Sequence, residues 1–413
     1  MSTNKTLKEC TSSFANILLF GELIDLISST VLSLEPVSQI SKLLTCSITE
    51  RMANLTHLSS FLTIMWAVIS SIDLTININS VRMTIMTDKV KTALVSGGAG
   101  FIGSNLCKSL LRDNYRVICV DNFLTGSREN VEELLENKNF LLVNADVTER
   151  LPDVVTDESI DFIFHLASPA SPNASSPISY ITYPLETMDV NSIGTRKLLR
   201  LARKKNAKFL LASTSEVYGD PMVHPQTEDY FGNVNPNGVR SCYDESKRFA
   251  EALSFVYLNK FKVDVRIVRI FNTYGPNLDP RDGRAMVNFI LQALKGEDMT
   301  VYGKGEQTRS LCYVDDLVEV LKKAMIKDKT CGEVINIGNP EEFTILELAK
   351  KIKKITKSES KIVFEPLPED DPSRRKPDIS KAKKILAWSP KVKFNEGLKK
   401  TIAYFEKKLE DEV

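Results

Sequence analysis

The sequence predicts an α/β protein built on a doubly wound parallel sheet, with a smaller C-terminal substrate domain. Three observations predict it. From Lys91 onward, short apolar or β-branched runs alternate with helix-length segments. A glycine-rich turn follows the first run directly, and the second run ends in an acid, Asp121.

The runs are Thr92 to Ser96, Arg116 to Val120, Phe140 to Asn144, Phe162 to Leu166, Lys208 to Ala212 and Val265 to Ile270. Their near-continuous apolar character suits strands covered on both faces. After Gly275-Pro276 the texture changes to a turn-rich stretch, Leu278 to Arg284, a helix from about Met286 to Lys295, and a polar stretch, Pro366 to Pro377. Residues 89–275 are therefore expected to form a dinucleotide-binding domain, and residues 276–405 mostly a substrate domain. Val334 to Ile337 reads as a strand returning to the main sheet.

Residues 1–88 are different in kind, rich in Ser, Thr, Ile and Leu and without glycine-punctuated strands. Met52 to Ile72 carries no charge and is long enough to span a bilayer, but Asn54, Thr56, His57, Ser59 and Ser60 dilute its first half. Three readings stand: a weak membrane tether through residues 52–72, a packed or disordered extension, or upstream sequence that is not normally translated. Met83 and Met86 lie where a start codon for the folded part is expected.

The 413 residues carry a formal charge of +1, from 54 Lys plus Arg against 53 Asp plus Glu, which points to neither nucleic acid nor an anionic membrane surface. Lysine clusters at 350–357 and 381–384 alternate with apolar residues at helical spacing and read as solvated helix faces. Seven scattered cysteines, none in a Cys-x-x-Cys pair, fit free thiols in a reducing, cytoplasmic setting. With three isolated histidines besides, no metal site is expected.

Gly97-Gly98-Ala99-Gly100-Phe101-Ile102-Gly103 joins a strand to an amphipathic helix, so backbone N–H groups at the helix start can approach a pyrophosphate. Gly97, Gly100, Phe101, Ile102 and Gly103 are the candidates for that contact. Eighteen residues past Gly103, Asp121 stands where a carboxylate accepts from an adenosine ribose. Asn122 and Phe123 follow it rather than an arginine, which favours NAD over its phosphorylated form. Asp146 and Val147 end the third strand, either at an adenine edge or as a plain strand-ending turn. Ala167 and Ser168 end the fourth, at the crevice where such sheets hold ligands.

Two further motifs carry chemistry: Ser213-Thr214-Ser215-Glu216-Val217-Tyr218-Gly219, and Tyr243-Asp244-Glu245-Ser246-Lys247. Tyr243 and Lys247, four residues apart, share one helix face. An ammonium beside a phenol favours the phenolate, a usable base for a sugar hydroxyl. Thr214 adds a hydroxyl, and Glu216 adds a carboxylate that simple dehydrogenation does not need.

Beyond these residues, long stretches from Lys91 to the C-terminus resemble the extended short-chain dehydrogenase/reductase family and, within it, the decarboxylases of UDP-glucuronate. The stretches are Phe164 to Pro172, Ser213 to Pro221, His224-Pro225-Gln226, Gly232 to Pro236, Arg240 to Glu245, Arg269 to Pro276, Asp282-Gly283-Arg284, Val301-Tyr302-Gly303, Gln307-Thr308-Arg309, and Asp370-Asp371-Pro372 running to Ile379. The resemblance implies bound NAD, with Tyr243 and Lys247 beside it. It implies oxidation of the sugar at C4, loss of carbon dioxide from the 4-keto uronate, and re-reduction of C4 to give UDP-xylose. Thr214, Ser215 and Glu216 are implied at the reaction centre. Ser215 stands where the related 4,6-dehydratases carry an aspartate to protonate a leaving hydroxyl. Asn272, Arg284, Arg309 and Arg375 are implied around the diphosphate and carboxylate, with Thr187 and Asn191 at matching spacing. Tyr302 reads equally as a base-stacking ring or a packed strand aromatic.

Two departures from the resemblance stand out. The segment from Pro172 to Pro184 is long, and Glu186 and Asp189 replace lysines. The competing enzyme readings are a nucleotide-sugar 4,6-dehydratase or 4-epimerase. A non-catalytic NAD sensor is a different class, and intact Thr214, Tyr243 and Lys247 argue against it. The resemblance also implies a homodimer through a helix pair of the dinucleotide domain.

Overall fold

The computed structural model describes residues 90–367 and 373–411. The readings of residues 1–88, and the Asp370-Asp371-Pro372 part of the last motif, lie outside the described residues. In chain order the elements are β1 (Thr92–Ser96), α1 (Phe101–Arg112), β2 (Arg116–Asp121), β3 (Phe140–Asn144), α2 (Asp153–Thr156), β4 (Phe162–His165), α3 (Pro184–Asp189), α4 (Thr195–Lys205), β5 (Lys208–Thr214), α5 (Ser241–Phe261), β6 (Val265–Ile270), β7 (Thr273–Tyr274) and α6 (Ala285–Lys295). They continue with β8 (Met299–Tyr302), β9 (Thr308–Ser310), β10 (Cys312–Tyr313), α7 (Val314–Ile326), β11 (Val334–Ile337), β12 (Glu342–Thr344), α8 (Ile345–Thr356), β13 (Ile362–Glu365), β14 (Arg374–Arg375), α9 (Ser380–Leu386) and α10 (Phe394–Asp411).

Seven strands form one parallel sheet in the order β11-β6-β5-β4-β1-β2-β3. The chain reverses direction across the sheet between β1 and β4, which pair side by side. That reversal opens the crevice in which such sheets bind ligands.

Strand alternation sends successive side chains to opposite faces, and both faces are covered. Ala93, Val95, Val117 and Cys119 join one apolar cluster with α1 and α7. Leu94, Ile118 and Val120 join the other, with α4 and α5. Each such aliphatic side chain, fully buried, contributes roughly 1.5–3 kcal/mol. The buried helix face of α1, with Leu106, Cys107 and Leu110, sits over the sheet and fixes the direction of its N-terminus.

Beyond β6 the short strands make smaller sheets, β10 with β7, β13 with β8, and β12-β9-β14. In the last of these, Arg375 is the register partner of Arg309, so two guanidinium-bearing residues sit side by side. Between α3 and α4 the chain makes one π-helical turn, Val190–Gly194, a distortion often found at functional sites. Among the described residues, no helix is long and apolar enough to cross a membrane, and no His/Cys/Asp/Glu cluster is suited to a metal ion.

Candidate active site

A cavity of about 810 Å³ opens at the crevice and runs on to the small sheets. At one end the glycine turn forms its wall. Gly97 has φ +73°, and a Cβ there would lie 2.7 Å from the Ala167 backbone. A Cβ on Gly103 would strike the Gly97 carbonyl oxygen, so only glycine lets α1 start this close to β1. Among the described residues no side chain caps α1, whose first residues Phe101 and Ile102 face the cavity with Gly100. The uncapped N–H groups suit an anionic group.

Asp121 is buried at the end of β2. Its two oxygens accept from the backbone N–H groups of Ala99 and Phe123, each at 2.9 Å, which aims the carboxylate into the cavity and leaves each oxygen lone-pair capacity for a hydroxyl donor. Burial pushes its pKa up, against those two bonds. Beyond it, Asn122 donates to Asp146 at 2.8 Å, and Val147 completes that wall. Ala167 and Ser168 line the middle.

At the reaction end, β5 runs out at Thr214, whose hydroxyl accepts from the Glu216 N–H at 3.2 Å and starts a single 3₁₀ turn, Ser215–Tyr218. Tyr243 and Lys247 project from α5 towards this turn. Burial pushes the Tyr243 phenol up to about 12, while a hydrogen bond with Thr214 and the charge of Arg284 pull the other way. Burial likewise brings Lys247 down to about 7, and Glu251 opposes it. Lys247 Nζ donates to the Ala212 carbonyl at 2.9 Å and lies 5.7 Å from the Tyr243 ring centre. The sequence reading expects the ammonium to lower the phenol. In the structure desolvation of both groups outweighs that attraction, because neither is exposed to water.

Glu216 sits in a nest of arginines. It accepts from Arg240 at 2.7 Å and from Arg375 at 3.3 Å. Burial raises its pKa, but Arg240, Arg375, Arg309 and Arg284 outweigh that and hold it ionised, below the usual carboxylate range. Asp244 is driven the other way, by burial first and then by Glu216. Arg375, almost fully buried, also donates to Ser215 Oγ at 3.1 Å and to the Gly219 carbonyl at 3.0 Å. Asn272, Arg284, Tyr302 and Arg309 line the same cavity further out, and Arg284 donates to the Ala170 carbonyl at 2.6 Å.

Two sequence candidates stand apart. Thr187 and Asn191 are fully buried and do not reach the cavity wall. Thr187 Oγ1 donates to the Tyr183 carbonyl at 2.6 Å, and Asn191 donates to Ser168 Oγ and Ser246 Oγ, each at 3.1 Å, bracing the wall from behind. The acidic departures Glu186 and Asp189 are exposed at the cavity rim. His165 is a satisfied core residue, bonded to Ser96 and Thr195 and held neutral by burial at about 3.

The structure adds two residues that sequence reasoning missed, Arg240 and Tyr180. Tyr180 lines the cavity and stacks on Tyr243 with ring centres 4.8 Å apart and planes 6° apart, and its buried hydroxyl has no hydrogen-bond partner among the described residues. It lies inside the long Pro172 to Pro184 segment, which was the one available signal.

The family model of GDP-mannose 4,6 dehydratase matches residues 94–401. The chain is 51% identical over 320 residues to UDP-glucuronic acid decarboxylase 1 of Danio rerio, covering 78% of this chain and 74% of that protein. It is 52% identical over 306 residues to UDP-glucuronic acid decarboxylase 6 of Arabidopsis thaliana, covering 74% and 86%. Among solved structures, it is similar to the UDP-glucuronic acid 4-epimerase of Bacillus cereus in complex with UDP-glucuronic acid and NAD. That match has 30% identity, a TM-score of 0.69, and coverage of 76% of this chain and 99% of that one. The dTDP-glucose 4,6-dehydratase of Bacillus anthracis, in complex with NAD, matches at 27% identity and a TM-score of 0.68, over 78% and 98%.

Proposed function

The chain belongs to the GDP-mannose 4,6-dehydratase family of extended short-chain dehydrogenases/reductases, and from that premise we infer that it is an NAD-dependent UDP-glucuronate decarboxylase, a carboxy-lyase forming UDP-xylose. The observation that carries the reading is the Arg375 guanidinium on Ser215 Oγ, one residue from Thr214. A buried cation held there supports a uronate carboxylate as the group it meets, and a serine there supports a reaction that needs no proton donor for a leaving hydroxyl.

The residues present fit NAD. The uncapped start of α1 and the Gly97 to Gly103 turn would hold the pyrophosphate, Asp121 the adenosine ribose, and Asn122, Asp146 and Val147 the adenine side. When bound, NAD supplies a reversible hydride acceptor at the sugar C4.

Tyr243 Oη takes the C4 hydroxyl proton and later returns it, with Thr214 hydrogen-bonded to the phenol throughout. Once C4 is a ketone, the C6 carboxylate is β to it, and the C5–C6 electrons pass to the C4 oxygen as carbon dioxide leaves. Thr214 and Tyr243 donate to that oxygen as its charge grows. As the enolate returns to the ketone, C5 takes one proton from solvent in place of the lost carboxylate, and the C4 oxygen regains the Tyr243 proton when C4 is reduced. Carbon dioxide departs without a proton, so Ser215 suffices. Glu216, kept ionised by its arginines, orients the sugar rather than giving up a proton. Arg284 and Arg309 bind the diphosphate, and Asn272 and Tyr302 line the nucleotide end.

Incubation with UDP-glucuronate and NAD is expected to release carbon dioxide and give a nucleotide pentose by NMR, without accumulating NADH. A product retaining C6, as an epimer or a 6-deoxy-4-keto sugar, would overturn the reading.

The same reading includes a homodimer through α3 and α5. Leu185 (72% exposed) and Met188 on α3, with Phe249 (52%) and Val256 on α5, form an uncovered apolar face on two helices packed together. Light scattering should give twice the chain mass, and Leu185→Asp with Phe249→Asp should halve it; a wild-type monomer would sink the proposal. The same reading includes a reducing, cytoplasmic setting, in keeping with seven scattered cysteines and no Cys-x-x-Cys pair in the sequence.

A further inference from the structure

The face of α5 that carries Tyr243 and Lys247 continues one turn further to Glu251, at the same four-residue spacing. Glu251 does not line the cavity; it is buried beneath it. Its Oε1 accepts from Ser213 Oγ at 2.5 Å and from Arg269 Nε at 3.0 Å, and its Oε2 accepts from an Arg269 terminal nitrogen at 2.8 Å. This is a bidentate, largely buried pair whose carboxylate also grips the residue before Thr214. Arg269 in turn donates to Tyr218 Oη at 2.9 Å, and Tyr218 donates to Asn336 on β11 at 2.8 Å. Asn336 donates to the Gln226 carbonyl, and Gln226 accepts from the Lys376 N–H at 2.8 Å, next to Arg375.

A buried ion pair needs a reason, because packed apolar residues of similar size are often as stable. Here the charge has a second customer. Lys247 is buried with one backbone carbonyl as its partner, and a lone buried ammonium tends to lose its proton. The groups acting on it are Tyr243 and Glu251 on its own helix and His165 on β4, which burial keeps neutral; the neighbouring charges Arg269 and Glu216 are each paired elsewhere. Arg269 is bound to Glu251, and Glu216 is committed to Arg240 and Arg375.

We propose that Glu251 is a positioning residue for the acid–base pair: clamped by Arg269 and Ser213, its carboxylate keeps the Lys247 ammonium charged behind Tyr243. This rests on the decarboxylase reading of the same site. The effect of Glu251 on Lys247 points in that direction, since it raises the lysine against the burial that lowers it.

The test compares two single variants by the pH profile of decarboxylation. Glu251→Gln and Arg269→Gln both break the same ion pair and both strain the fold. Only the first removes negative charge near Lys247; the second leaves that carboxylate uncompensated. The alkaline limb of kcat should therefore move down by roughly one pH unit in Glu251→Gln and up in Arg269→Gln, while Glu251→Asp stays near wild type. Where Glu251→Gln does not fold, the upward shift in Arg269→Gln decides alone. Limbs that move together, or not at all, overturn the inference. A wild-type protein that releases no carbon dioxide would instead overturn the decarboxylase reading.

Discussion

Replacing Arg375 with glutamine isolates the group on which the decarboxylase reading rests. The guanidinium is almost fully buried and donates to Ser215 Oγ, the Gly219 carbonyl and Glu216 at 3.0–3.3 Å. Glutamine keeps a polar head in the site but removes the charge and the fork. Glu216 retains Arg240 at 2.7 Å, so it is not left as a buried, unpaired carboxylate, and the fold should survive. Loss of one preorganised, charge-assisted donor set in a desolvated site costs about 3–4 kcal/mol, or roughly 10²–10³ in kcat/KM. The loss should be selective. UDP-glucose differs from UDP-glucuronate only in carrying a neutral hydroxymethyl group where the C6 carboxylate stands, so calorimetric binding of UDP-glucuronate should weaken sharply while that of UDP-glucose changes little. Equal weakening of both ligands, or a fall in melting temperature that accounts for the lost activity, would refute the assignment of Arg375 to the carboxylate.

Tyr243→Phe removes the phenol hydroxyl bonded to Thr214 while leaving the stacked ring against Tyr180 in place; NAD binding by fluorescence should persist and turnover should fall by about 10³ or more, and unchanged turnover would rule out its role as the base. His165 gives a pH prediction with a definite sign. Burial, followed by the charge of Lys247, holds it at about 3 against an ordinary 6.5, so the unfolded chain takes up a proton that the native one refuses. Stability is complete above about pH 6.5 and falls as pH drops towards 3, with a slope approaching 1.4 kcal/mol per unit from this group, about one proton. Urea denaturation between about pH 4 and 7 should show a shallower slope in His165→Gln, and an identical slope would contradict the assignment.

The sheet and the cofactor end were legible because their signals are local. A strand, a glycine turn, a helix start and an acid at the end of the next strand are fixed by backbone geometry over some thirty residues, and the structure keeps them in that relation. The helix face joining Tyr243 to Lys247 was legible for the same reason, since a four-residue spacing specifies one side of a helix whatever surrounds it. The protonation of that pair was not. The sequence supplies the attraction between phenol and ammonium but not the extent of desolvation, and desolvation prevails.

What the sequence did not show is how pieces far apart in the chain come together. Arg240 and Arg375 are 135 residues apart yet meet on one oxygen of Glu216, and Arg375 reaches it because β14 pairs with β9 in a register that no periodicity in a two-residue strand announces. Thr187 and Asn191 show the converse. Their spacing fits a ligand contact, but one π-helical turn rotates the chain so that Asn191 faces Ser168 and Ser246 instead of the cavity. A site residue behind the wall still matters if it fixes a residue in the wall, so Asn191 is better understood through Ser168 than through the sugar. The acids at 186 and 189 follow the same logic: they are exposed at the rim, where water screens them, while the Arg375 guanidinium lies buried beside Ser215. On the proposed reading, charge at the mouth therefore weighs less on uronate binding than the buried Arg375 guanidinium.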